Sequence, residues 1–159
     1  MSVFYTDGSA HPNPGPGGFG VVILDDDNKF VGSYSKQTEQ TTNNREELKS
    51  ILWVMLKWGC NVTEWGHSPL VYSDSAYCVN TLNEWMFNWA NNNWLKSDNK
   101  PPENLDLIKA YYEHYQKGFR IDLRKVKGHN NNKWNELADK LATGKITSEE
   151  VYDNEQLWS

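Results

Sequence analysis

Apolar and polar positions along the chain predict strands first, and helices alternating with strands after them. Val3-Phe4-Tyr5-Thr6 reads as a strand that stops at Asp7, ahead of the turn-rich segment His11 to Gly18. Phe19 to Leu24 predicts a second strand, Asp25 to Asn28 a turn and Lys29 to Ser35 a third strand, giving an antiparallel meander. The polar run from Lys36 to Asn44 predicts a loop. Leu48, Ile51, Leu52, Met55 and Leu56 then recur at helical spacing, and Gly59 suits the C-cap of that helix.

Leu70 to Asp74 predicts a fourth strand, which also ends in an acid, followed by a short helix from Ser75 to Leu82. A Trp- and Asn-rich section, Trp85 to Asn99, precedes Pro101-Pro102. Beyond it Leu105, Ile108, Tyr111, Tyr112 and Tyr115 mark another helix. Phe119 to Val126 predicts a fifth strand, Gly128 to Asn132 a loop, and Trp134 to Thr143 a helix with Trp134, Leu137, Ala138 and Leu141 on one face. The expected fold is α/β: a five-stranded mixed sheet flanked by helices, with a right-handed crossover through Asp74. Residues 1–145 read as a single domain. Residues 146–159 read as an acidic tail that adds little core.

Composition narrows the function. The 159 residues carry a net charge of −5, which argues against a general polyanion binder, so any nucleic acid must be held by local features. Eight Trp and eight Tyr supply buried area that the aliphatic residues do not. Cys60 and Cys78 are too few for a zinc cluster or disulfide framework, and buried free thiols are expected. Met1 runs into the first strand without a basic leader, and no apolar run approaches the ~20 residues of a membrane span. The expectation is a cytoplasmic monomer with no membrane contact.

Two candidate chemistries compete. Gly15-Pro16-Gly17-Gly18-Phe19-Gly20 matches G-x-G-x-x-G, but a dinucleotide site needs those glycines to open a helix. Here they run into Val21-Val22-Ile23-Leu24, which prefers a strand, so that reading is rejected. The acids are the better lead. Asp7 and Asp74 each close an apolar strand, and parallel neighbours would present both carboxylates at one edge of the sheet. On the first long helix, ~100° per residue places Glu47 inside the apolar arc with Val54, Trp58 and Ile51. The same count places Glu46 beside Ser50 and Lys57, on the wet face. Converging carboxylates near a core repel one another, and a divalent cation relieves this. Mg²⁺, which takes oxygen ligands and substrate phosphate, fits such a site.

Several blocks then carry a resemblance: Asp7-Gly8-Ser9 with Asn13 to Gly18, Thr41 to Leu48, Ser73-Asp74-Ser75, Val126-Lys127-Gly128-His129, and Asn135 to Asp139. In this order and at these spacings the chain resembles ribonuclease H of type 1. The resemblance implies a ribonuclease H-like fold and a site of Asp7, Glu47, Asp74 and Asp139. That site would hold two Mg²⁺ ions, with Mn²⁺ as a substitute, for in-line two-metal hydrolysis. Asp139 lies off the apolar stripe of its helix, and its assignment rests on the family motif alone. The resemblance also implies that His129 moves protons or helps release product. It implies that Asn13, Asn43 and Asn44 read the minor groove and RNA sugars, that Thr42 and Asn88 grip a DNA phosphate, and that Trp85 packs on the DNA strand. Trp89 and Trp94 are expected in the core.

The implied partner is an RNA–DNA hybrid, cut in its RNA strand to leave 5′-phosphate and 3′-hydroxyl ends. The alternatives are a hybrid-binding module without catalysis, and a metal-dependent nuclease of the same fold with another substrate. The chain departs from the family pattern where many bacterial members carry a Lys/Arg handle, since Ala90-Asn91-Asn92-Asn93 occupies that segment. Gln40 and Ala76 replace two further substrate contacts. Fewer cation–phosphate contacts imply weaker hybrid binding with a shallower salt dependence.

Overall fold

The computed structural model describes residues 2–61, 68–126 and 132–148. Five strands, β1 (Val3–Ala10), β2 (Gly15–Leu24), β3 (Phe30–Thr41), β4 (Leu70–Ser73) and β5 (Asp122–Lys125), form one sheet in the order β3-β2-β1-β4-β5. β1, β2 and β3 pair antiparallel, whereas β1, β4 and β5 run parallel. The five-stranded mixed sheet expected from the sequence is present. The glycines of G-x-G-x-x-G lie within β2, as the rejection of a nucleotide fingerprint requires.

Strand alternation sends successive residues of β1 to opposite faces, and each face has its own core. Phe4, Phe19, Val21 and Val71 pack with Leu48, Ile51, Val54 and Met55 of α1 (Asn43–Trp58). Val22 and Leu24 pack on the other face with Trp134, Leu137, Ala138 and Leu141 of α5 (Lys133–Ala142). Between these helices come α2 (Ala76–Asn80), α3 (Met86–Ala90) and α4 (Leu105–Gln116). Ile108 of α4 and Met86 of α3 join the first core, with Trp89 and Trp94 packed against it.

Several boundaries differ from expectation, each for a physical reason. β3 continues to Thr41, through the polar run that reads as a loop, because backbone pairing with β2 extends as far as Gly15 and Thr41 although the side chains of this stretch are polar. Gln37 instead turns to α5, donating from Nε2 to the carbonyls of Leu141 and Ala142 at 3.3 and 3.2 Å. The helix after Asp74 does not stop at Leu82. It passes through a π-helical turn, Thr81–Trp85, into α3, so the Trp-rich section is helical at its start. β5 begins at Asp122 rather than Phe119. Ile146 is buried in the second core, although the residues after Gly144 read as adding little to it. Of the two cysteines Cys78 is buried, its thiol pushed up to about 12 by that burial, while Cys60 is exposed.

Candidate active site

Asp7 does not end β1, which runs on to Ala10 beside β2. It ends the part of β1 that has a partner on both sides, since pairing with β4 stops at Thr6 and Ser73. Thr6 Oγ1 donates to Tyr72 O at 3.0 Å, clamping the two strands just before they part. Asp7 and Asp74 therefore face a crevice at the C-terminal edge of the parallel strands, where open α/β sheets hold their ligands.

Two glycines let helices reach that crevice. A Cβ on Gly8 would lie 2.2 Å from Glu47 N and 2.3 Å from Glu46 C, so only glycine admits the first turn of α1 this close to β1. Gly20 is paired directly with Asp7. A Cβ there would lie 2.5 Å from both Ala138 O and Leu141 Cβ, so the missing side chain lets α5 down onto β2. Asn132 caps α5, its Oδ1 accepting from the N–H groups of Trp134 and Asn135 at 3.0 and 3.1 Å.

The result is a cluster of acids. Ligand oxygens of Asp7, Glu47 and Asp74 all lie within 4.8 Å of one another. Asp139 joins Asp7 and Asp74 in an open cleft of about 350 Å³, completed by Asn135, Glu136, Lys140 and Lys145. Asp7 is 5% exposed and Glu47 6%, while Asp74 and Asp139 meet solvent. Burial raises the Asp7 carboxyl from 3.8 to about 7, the hydrogen bond with Glu47 opposing it and the charges of Asp74 and Asp139 adding to it. Burial, then the hydrogen bond and charge of Asp7, then the charge of Asp74 hold Glu47 well above the ordinary carboxylate range, against the Gly8 N–H. Glu47 Oε2 is buried with no hydrogen-bond partner. A buried oxygen of this kind costs free energy unless something satisfies it, and a hard divalent cation is what an all-oxygen set accommodates.

Glu46 is not solvated. It is completely buried, and its carboxylate accepts from Thr38 Oγ1 at 3.2 Å and Thr41 Oγ1 at 2.8 Å, with Lys49 Nζ at 2.8 Å. The helical count alone places it on the wet face, and the end of β3, which covers that flank, lies in the stretch that reads as a loop. The two threonines Thr38 and Thr41 just ahead of the helix and the i, i+3 spacing of Glu46 and Lys49 are the signal that could have found it.

Among the positions implied for substrate, Thr42 is the N-cap of α1, its hydroxyl accepting from Arg45 N at 3.2 Å. Asn43 Oδ1 accepts from Ala10 N at 2.6 Å, and Asn13 Oδ1 accepts from Asn43 N at 3.1 Å. These bonds join the β1–β2 turn to the start of α1, with Asn13, Asn43 and Asn44 all exposed. Trp85 and Asn88 line one open cleft of about 520 Å³ with Trp89, Asn92, Leu95 and Lys96. Sequence reasoning missed Arg45, which grips Asp106 of α4 with both guanidinium ends at 3.0 and 2.8 Å. His129 lies outside the described residues.

Residues 1–147 match the family model described as RNase H. Ribonuclease H of Thermoanaerobacter sp. (strain X514) is 44% identical over 145 residues, covering 89% of this chain and 87% of that protein. Ribonuclease H of Rickettsia massiliae (strain Mtu5) is 41% identical over 153 residues, covering 94% and 93%. Among solved structures, LC11-RNase H1 in complex with an RNA/DNA hybrid superposes with a TM-score of 0.66 at 20% identity, covering 96% of this chain and 99% of that one, and shares the fold. With a family match across nearly its whole length and relatives this similar, the chain belongs to the ribonuclease H family.

Proposed function

We propose that this chain hydrolyses the RNA strand of RNA–DNA hybrids, using divalent ions held by Asp7, Glu47, Asp74 and Asp139 and leaving 5′-phosphate and 3′-hydroxyl ends. The observation that carries the reading is the convergence of Asp7, Glu47 and Asp74, with Glu47 Oε2 buried and unpartnered. Mg²⁺, two ions in the family pattern, would neutralise the scissile phosphate and provide a nucleophile from water at neutral pH. The chain supplies the frame. Asp7 stands between the helices, Glu47 reaches in from α1, Asp139 from α5, and Asp74 from the end of β4. Lys140 and Lys145 line the same cleft and offer cations to the phosphate.

Substrate choice follows from what the two tethered asparagines have left to offer. Each Oδ1 already accepts a backbone N–H, so the oxygen is committed and the free end of each amide is its N–H₂. Asn13 and Asn43 therefore present donors, which suit the acceptors N3 and O2 of a minor groove and the oxygen of a 2′-hydroxyl. Trp85 and Asn88 stand in a separate cleft, suited to the DNA strand. Asn43→Asp keeps the acceptor for Ala10 N but loses the donor and adds a negative charge. Its binding to hybrid, measured by anisotropy in chelator, is expected to weaken roughly tenfold, about one lost charge-free hydrogen bond plus repulsion. Thermal stability should stay close to wild type.

The function is tested with labelled RNA–DNA hybrid, RNA duplex and DNA duplex, each incubated with the protein and Mg²⁺. Cleavage of the hybrid alone, in its RNA strand, is the expected result. Binding without cleavage would support a non-catalytic module, and cutting of DNA would support a nuclease with another substrate.

A further inference from the structure

Glu46 is a fully buried acid that takes no part in the carboxylate cleft. Removing a carboxylate from water is costly, and an apolar side chain of similar volume commonly fills such a position at no loss of stability. Packing alone therefore does not account for a charge here. Its partners indicate what it does. Thr38 and Thr41 belong to the last residues of β3, and Lys49 lies one turn further along α1. Glu46 N also donates to Thr42 O at 3.1 Å. Backbone and side chain of one residue thus hold both sides of the elbow where β3 becomes α1. The space beside that elbow is already full, since a Cβ on Gly17 would lie 2.8 Å from Thr41 Cγ2.

That elbow carries Thr42, Asn43 and Asn44, the residues given to substrate above. A sheet end joined to a helix by a single N-cap residue has freedom in its joining angle. Three hydrogen bonds and charge contacts to one buried carboxylate remove it, because each must be kept to avoid stranding the charge. We infer that Glu46 is a positioning residue for nucleic-acid binding: it fixes the β3–α1 elbow so that Asn43 and Asn44 meet the duplex at one angle. The inference rests on the hybrid reading of the preceding section.

The test compares Glu46→Met and Glu46→Gln with wild type, measuring hybrid affinity by anisotropy in chelator, well below each melting temperature. Glu46→Met replaces the charge by an apolar chain of similar length. It is expected to keep or raise the melting temperature and yet weaken hybrid binding on the order of tenfold. Glu46→Gln still engages both threonines and is expected to fall between. In Mg²⁺ the methionine variant should raise KM with kcat held within about twofold, as for an interaction lost equally from ground and transition states. A melting temperature that falls while affinity stays at the wild-type value would overturn the inference, because a merely structural role behaves that way. Should Glu46→Met not fold, Thr41→Val removes the shorter threonine bond alone, and unchanged binding there would overturn it equally. Wild-type protein that fails to bind hybrid would instead count against the proposed function.

Discussion

Asp7→Asn is expected to remove hybrid cleavage by about a thousandfold or more, and at the same time to make the metal-free protein more stable. The first effect follows from charge. Asp7 stands at the centre of the acid cluster, and on the proposed function it would be a ligand to an ion whose loss forfeits several kcal/mol of transition-state stabilisation, roughly three powers of ten. The second effect follows from the same burial that makes the site. Without metal, folding carries Asp7 from its ordinary 3.8 to about 7, which disfavours the folded state by up to about 4 kcal/mol once the solution is alkaline enough to ionise it. The sign is fixed by proton counting. Between about pH 4 and 7 the folded protein holds a proton that the unfolded chain has released, so stability falls as pH rises through that window. In chelator the variant should melt up to about 8–16 °C above wild type at pH 8, at ~2–4 °C per kcal/mol for a chain of this size. The difference should vanish near pH 4. Scanning calorimetry across pH, with cleavage assayed in Mg²⁺, checks both halves. Equal melting curves at pH 8 would mean that Asp7 is not strained by burial.

Gly8→Ala is expected to damage the site without touching a carboxylate. The added Cβ would fall 2.2 Å from Glu47 N and 2.8 Å from Glu47 Cα, and both are backbone atoms that cannot swing aside. Relief requires α1 to withdraw from β1 by about 1 Å, so the substitution belongs at the severe end of overpacking, about 3 kcal/mol. A shift of that size in a catalytic group costs on the order of a hundredfold in rate. The expected result is a melting temperature about 6–12 °C lower and a kcat about a hundredfold lower, measured where the variant is still folded. A variant that is destabilised yet fully active would show that Glu47 need not sit at its present distance from Asp7.

The sequence discloses Glu47 more clearly than it discloses Glu46, and the reason is one element. Helical counting places Glu47 on the buried stripe, and the structure agrees. Counting alone cannot see what covers the other flank of α1. That cover is the end of β3, and its residues Lys36 to Gln40 carry no apolar side chain to mark a strand. Reading the strand as a loop and reading Glu46 as solvated are therefore a single misjudgement. Asp7 and Asp74 were legible as acids beside apolar strands, because a strand pattern locates a sheet edge. Asp139 was not, since it stands off the stripe of α5 and comes to the cleft only because Gly20 lets the helix settle. What periodicity does not convey is how closely two elements approach, and in this site glycines decide that.

The clustered carboxylates Asp7, Glu47, Asp74 and Asp139 arrive on β1, α1, the end of β4 and α5, elements drawn from the beginning, middle and end of the described chain. Each of these four elements brings one of the four acids. Bringing together segments so far apart in sequence costs more loop-closure entropy than making local contacts. On the proposed assignment of the acids, a nascent chain that ends before α5 would have the sheet centre and the first helix but not the complete carboxylate set.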